Sequence, residues 1–373
     1  MGIRSTQTIE LEHLITCETF WRDRFEWLLE CGYELPPQFK PGTPPVITGK
    51  TDLKSENEYV INMKVWARTG SADVIQTTTG KMVSLYQVSK RDCLRMLDAY
   101  PSWHIPPGTL ATFEGRPIRP HRNEPRNRCR PIIAAPLRDK CDPELVFLVT
   151  PTSRSHMIVE FTTIGEALRF FRQMIEGLQL LHERQIASGD EALFDVQMDL
   201  VTFLPAELEL PTSSKSSASH QALSLSIWQA LAEDSIALRR REDSSYYFNI
   251  PRGLRRSTPR AQADASGAGS KHPAEQEPDP IFRVKAALDI MHLGQMLHRD
   301  FIKRFEALSF LRHLVHRMME DDLAEVIGTN AGVPEWQTTI DEVVEKFNAI
   351  VSQLPEEELL EPLGELSPPE FLL

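Results

Sequence analysis

The stretch IGEALRFFRQMIEGLQLLHERQIASGDEALFDVQMD, Ile164 to Asp199, decides the fold. Leu168, Phe171, Ile175, Leu178 and His182 fall on one face at helical spacing, with Met174 and Leu181 beside them. The spacing predicts a helix over 166–184, and a short polar loop built around Asp190 follows. Taken alone, such a helix is simply a core helix.

Upstream, residues 16–33 carry Phe20, Trp21, Phe25, Leu28 and Leu29 at helical spacing. Five prolines between Pro36 and Pro45 then break the chain into an extended linker. The texture changes at Glu58. Tyr59–Ile61, Val65–Ala67, Asp73–Ile75 and Met82–Val88 are short apolar runs separated by Gly70 and by Gly80-Lys81, which predicts a small antiparallel sheet. Arg130–Ala135 and Leu145–Thr150 read as two more strands. After Thr163 the pattern is mostly helical, interrupted by a Ser-rich patch at 211–220 and by TPRAQADASGAGSKHPAEQEPDP at 258–280. The second interruption lacks large apolar residues and is expected to be disordered. Helical periodicity resumes at Ile281 and runs to about Leu354. Strands first and helices afterwards imply an α+β body.

Composition narrows the partners. The net charge is −12, which argues against nucleic acid as a general ligand. The last 21 residues hold six glutamates and neither Lys nor Arg, so they are expected to form an acidic disordered tail over 353–373. The runs 116–130 and 239–260 are locally basic; Arg239–Arg241 reads as a solvated loop, with an acidic partner, or the chain's own tail, as the sharper alternative. Five irregularly spaced cysteines without a CxxC pair predict reduced thiols in a cytoplasmic or nuclear protein and no structural zinc. No run of eighteen or more apolar residues predicts a transmembrane segment. Met1-Gly2 opens a short pattern that matches N-myristoylation by chance more often than not.

LRFFRQMIEGLQLLHERQIASGD (168–190) resembles the segment of protein kinases that leads into their His-Arg-Asp loop. It resembles most closely the kinase-like proteins of mushroom-forming (basidiomycete) fungi. FWRDRFEWLLECGYELPPQF (20–39), EPRNRCRPII (124–133), ALDIMHLGQMLHRDFIKRFEALSFLRHLV (287–315) and TIDEVVEKF (339–347) are similar to further segments of that group. The resemblance implies a protein-kinase-like two-lobed fold with a small β-rich lobe and a larger helical lobe. Its divisions would be a helix and Pro-rich linker (1–57), a degraded small lobe (58–150), and a large lobe (151–352) with flexible inserts at 211–224 and 257–280, before the tail.

Site by site, the resemblance puts the catalytic Asp at Asp190 and the bracing His and Arg at Ser188 and Gly189. The metal-binding Asn falls on Asp195, which keeps the capacity to ligate magnesium. The third-strand Lys falls on Tyr86, with Lys81 and Lys90 out of register, and its carboxylate partner falls in a helix expected over 105–115, where Glu114 is the one acid. The Asp of Asp-Phe-Gly falls on Pro251, after Tyr246–Ile250; Asp243 is the alternative register. Gly70 stands nearly alone where a phosphate-covering loop is wanted. Asp289 resembles the buried Asp that caps the catalytic loop backbone. His298-Arg299-Asp300 spells the catalytic tripeptide but sits inside a helical pattern, with Phe305 at the Asn position, and reads as helix surface.

The resemblance therefore implies a pseudokinase, a binding or scaffold module for an unidentified protein partner, with no cofactor. The alternative is a Ser/Thr kinase with residual activity, in which Asp190 is the base, Asp195 and Asp199 hold magnesium, and ATP is the donor. A decaying paralogue is the bland third reading.

Overall fold

The structure is a computed structural model. It describes residues 6–48, 63–64, 66–67, 70–99, 112–118, 124–155, 161–199, 245–249, 255–256, 279–319 and 338–364. Helices α1 (Thr6–Arg22) and α2 (Phe25–Glu30) lead into strand β1 (Tyr33–Glu34). Strands β2 (Ser71–Gln76) and β3 (Met82–Ser89) form a hairpin, and α3 (Lys90–Ala99) follows β3 directly. Next come β4 (Thr112–Phe113) and β5 (Arg116–Pro117), then β6 (Leu137–Arg138), β7 (Leu145–Pro151) and β8 (Ser153–Ser155). Helix α4 (Ile164–Glu183) precedes β9 (Ile186–Ala187), a 3-10 turn (Glu191–Phe194), β10 (Gln197–Asp199), β11 (Tyr246–Tyr247) and β12 (Arg255–Arg256). The last helices are α5 (Pro280–Leu297), α6 (Arg312–Met319), α7 (Ile340–Val351) and α8 (Glu356–Leu359).

Five strands form an antiparallel sheet in the order β1-β2-β3-β7-β6. Side chains alternate between its faces, as the pleat requires. Val83 and Leu85 of β3 share one face with Ala72, Val74, Phe147 and Val149. That face is covered by Leu14, Trp21, Phe25 and Leu28 from α1 and α2. Trp21 lies 5.6 Å from Phe147, and Trp66 stacks on Phe39 at 5.4 Å. The N-terminal segment is thus a layer of the sheet's own core and supplies its edge strand, rather than a helix and linker set apart at residue 57. A buried ion pair fixes it further: Arg24 Nη2 meets Asp139 Oδ2 at 2.5 Å, at the end of β6.

The opposite face carries Tyr86, Val146 and Leu148. It joins a second core built on α4, α5, α6 and α7, where Phe170, Phe171, Phe301 and Phe347 are fully buried. Helix α4 begins where Thr163 Oγ1 accepts from Glu166 N, while the Glu166 carboxylate accepts from Thr162 N at 2.7 Å, a variant of the capping box. Its predicted apolar face is the buried one.

Several expectations are corrected. Met63, Lys64, Trp66 and Ala67 are helical, not a strand, because Trp66 turns into the aromatic layer beside Trp21. The strand expected over 130–135 begins only at Leu137; Pro131 and Pro136 have no N–H to give to a ladder. The tail expected to be disordered from 353 is ordered through Gly364. It forms α8, and then Ile164 N donates to Glu361 O at 3.1 Å and Leu363 N to Thr162 O at 3.0 Å, with Leu363 buried. Its apolar residues, rather than its glutamates, decide its path. The inserts at 211–224 and 257–278 and residues 365–373 lie outside the described residues. Among the described residues no helix is long and apolar enough to cross a membrane.

Candidate functional site

The candidate site lies where the sheet's polar underside meets the loop after α4. The loop is anchored from below by Asp289 of α5, which is fully buried. Its carboxylate accepts from Ser188 N at 2.9 Å and from Gly189 N at 2.7 Å, and His182 Nε2 lies 3.4 Å away. A carboxylate that takes two backbone N–H groups holds a loop as firmly as a helix cap does. Gly189 has φ +67°, and a Cβ there would also press on Lys285 at 3.0 Å, so glycine serves the loop better than a side chain.

Asp190, the expected catalytic residue, is half-buried at the start of the 3-10 turn. Its Oδ1 accepts from Ala192 N at 3.0 Å, so one oxygen caps the turn. Asp195, the expected metal ligand, is exposed at the other end of that turn. Nearby positive charge comes from Arg299, whose guanidinium is held above its usual range by a hydrogen bond to Asp300 and further by the charges of Asp300, Asp195 and Glu191. Among the described residues, no group of three or more His, Cys, Asp and Glu side chains is placed to hold a metal ion.

Tyr86 sits in β3 with its ring buried, and its hydroxyl donates to Asn249 Oδ1 at 3.2 Å. Asn249 follows β11 and is tied in place by its own N–H, which donates to Leu193 O at 3.0 Å. The Arg130 guanidinium stands 5.7 Å over the Tyr86 ring and donates to Pro151 O at 3.2 Å. The neighbouring positions on this face are polar too. Ser84 donates to Asp73 at 2.5 Å, and Thr150 donates to Ser84 O at 3.3 Å, all three buried.

Sequence analysis did not single out Asn249, the partner of Tyr86 in this contact. Of the strand expected over 246–250, Tyr246–Tyr247 is a strand and Phe248 an isolated bridge; Pro251 and Asp243, the two positions considered for the metal-holding Asp, lie outside the described residues. The alternation of buried Tyr246 and Phe248 along that strand was the available signal.

Other expectations also move. The helix that follows β3 directly is 90–99; of the helix expected over 105–115, residues 112–115 are strand and turn, and 105–111 lie outside the described residues. Glu114 lies in the β4–β5 turn at φ +52°, where it pairs with Lys90 at 2.9 Å and with Arg138 at 3.0 Å. The hydrogen bond from Lys90, helped by the charges of Arg138 and Lys90, holds its carboxyl below the usual range. Lys90 and Glu114 thus form an ion pair at the head of α3. His298–Ile302 is a π-helical turn, and Asp300 is buried against its neighbour Arg299 instead of lying on a helix surface.

No family model matches this sequence, and no curated protein matches it. Among solved structures, the chain is similar to one described as "Crystal structure of Rad53 kinase domain and SCD2", with a TM-score of 0.35 and 10% identity over 75% of this chain and 92% of that one. A likeness at that level carries no weight alone. The mixed architecture, with one antiparallel sheet and helices elsewhere, is compatible with a protein-kinase-like fold.

Proposed function

We propose that this chain is a kinase-like binding or scaffold module that does not transfer phosphate, and that it is related to the kinase-like proteins of mushroom-forming fungi. One observation carries the reading: the 3.2 Å contact between Tyr86 and Asn249. In a protein kinase, the third strand supplies a Lys to the nucleotide phosphates and an Asp after a later strand holds magnesium. On the elements that would correspond here, a phenol donates to a carboxamide oxygen instead. Neither carries charge, so the pair supplies neither the cation that a kinase sets against the phosphates nor the carboxylate that balances magnesium. The work left to such a fold is binding, and the partner is a protein. Five free cysteines support a cytoplasmic or nuclear setting.

The loop anchor favours the second reading, a residual kinase. Asp289 holds Ser188 and Gly189 as a working loop would need, with Asp190 next in line as base. Thermal unfolding with millimolar ATP, with and without magnesium, separates the two. An unchanged melting temperature is expected. A magnesium-dependent rise, together with phosphorylation lost in Asp190→Ala, would establish the kinase instead.

A further inference from the structure

Basic groups gather where α5 ends and α6 crosses it. The two helices approach closely at Gly294, where a Cβ would lie 2.9 Å from Met318 Cβ. That crossing sets the half-buried His298 ring edge-on to the exposed His316 ring, with centroids 5.1 Å apart. Lys303 closes the π-helical turn by donating its N–H to His298 O at 3.0 Å, and Arg312 stands one helical turn before His316 on α6. Both cations are exposed. His313 and Arg317, also exposed on α6, add to the basic character, and the last turn of α5, Gly294–Leu297, carries no charge. The neighbouring carboxylates are already engaged: Asp300 is held by Arg299 at 2.7 Å, and Glu306 reaches Arg312 at 3.7 Å.

We propose that His298, Lys303, Arg312 and His316 dock a short acidic segment of a partner protein, and grip it more tightly as the pH falls. With both imidazoles neutral, Lys303, Arg312 and Glu306 leave one net positive charge; with both protonated the cluster carries three. Two or three carboxylates match that range, and a chain of net charge −12 opposes a much longer polyanion. Like charges held this close repel, and an anion laid across them relieves the repulsion. Burial, then the charges of Lys303, His316 and Arg312, hold the His298 imidazole below its usual range, so it is largely neutral near pH 7. A docked carboxylate favours the protonated ring, and by linkage a lower pH favours the docked carboxylate. Such a surface serves a scaffold and a kinase alike, so it does not rest on the loss of phosphoryl transfer.

The test follows the anisotropy of a fluorescent pool of degenerate peptides with a fixed central run of glutamates, titrated with the full chain at about pH 7.5 and about pH 5.8, where glutamate stays ionised. Its controls are the same pool with glutamines in that run and a single-stranded oligonucleotide. The glutamate pool is expected to bind, the glutamine pool not, with an affinity about threefold or more higher at the lower pH. Lys303→Glu should weaken binding about fivefold or more at both pH values, as reversing a docking charge implies. Lys303 is exposed, so an unchanged melting temperature is the folding control for that variant. His298→Gln/His316→Gln should keep the binding seen at the higher pH and lose the gain at the lower one. That loss is the specific readout, because the chain has eleven histidines and its overall charge also changes with pH. Equal binding of the glutamine pool, equal binding by Lys303→Glu, or a pH gain retained in the histidine variant overturns the proposal. So does tighter binding of the oligonucleotide, which would make the cluster a general polyanion surface.

Discussion

Tyr86 and Asn249 stand 163 residues apart in sequence, and a 3.2 Å hydrogen bond joins them under the sheet. Both are buried, so the bond is also what satisfies two polar groups withdrawn from water. A charged pair in that place would need counter-ions or metal to be stable, while a neutral pair needs only its partner. The contact therefore links the sheet to the segment after β11 without any ligand.

A double-mutant cycle measures that link. Tyr86→Phe removes the hydroxyl and is expected to cost about 1 kcal/mol in urea unfolding, while Asn249→Ala costs about 1–3 kcal/mol. The double variant should lose less than the sum by at least about 0.5 kcal/mol. Strict additivity would mean the two groups do not act on each other.

Asp289 should matter more than either. Asp289→Ala strips two backbone donors of their acceptor in a buried place, for a loss of about 3 kcal/mol or more. Asp289→Asn keeps one acceptor oxygen and should fall between that variant and the native protein. Amide exchange at Ser188 and Gly189 gives the local readout, and protection that survives Asp289→Ala would remove the anchor from the account.

The C-terminal strap is a stabilising element despite its glutamates. Leu363→Ala is expected to cost about 2–4 kcal/mol, as other buried leucines do. Gly165→Ala approaches the same strap from α4, since a Cβ there would lie 2.9 Å from Leu359 O. Deleting residues from 354 onward should lower the melting temperature at least as far as Leu363→Ala; a truncated protein as stable as the full chain would show that the strap adds nothing.

Thiol labelling tests the burial pattern from another side. Burial pushes the Cys93 and Cys129 thiols up to about 12 and Cys17 up to about 11, so little thiolate forms in any of them near neutral pH. Cys31 and Cys141 are exposed, and Cys31 is raised by its partial burial and then by the Glu30 charge. Native protein at pH 8 should react quickly at Cys141 and Cys31, with Cys141 first, and the other three should react only on unfolding. Rapid labelling of Cys129 would contradict the packing of the second core.

The sequence alone determined the elements whose signal is local. The face of α4 follows from spacing at Leu168, Phe171, Ile175 and Leu178, and the strand Met82–Ser89 follows from the apolar run 82–88 set off by Gly80-Lys81. Asp289 was singled out only through the resemblance, and its two backbone donors came from the fold. Tertiary structure decided what depends on partners distant in sequence. Trp66 is helical because Trp21 and Phe39 wait for its ring, and Glu114 found Lys90 only because the β4–β5 turn folds back on α3. The Tyr86–Asn249 contact exists only because the fold brings two distant segments together. Periodicity fixes which way a side chain faces along its own element, but what it meets there is set by packing between elements, which no local pattern encodes.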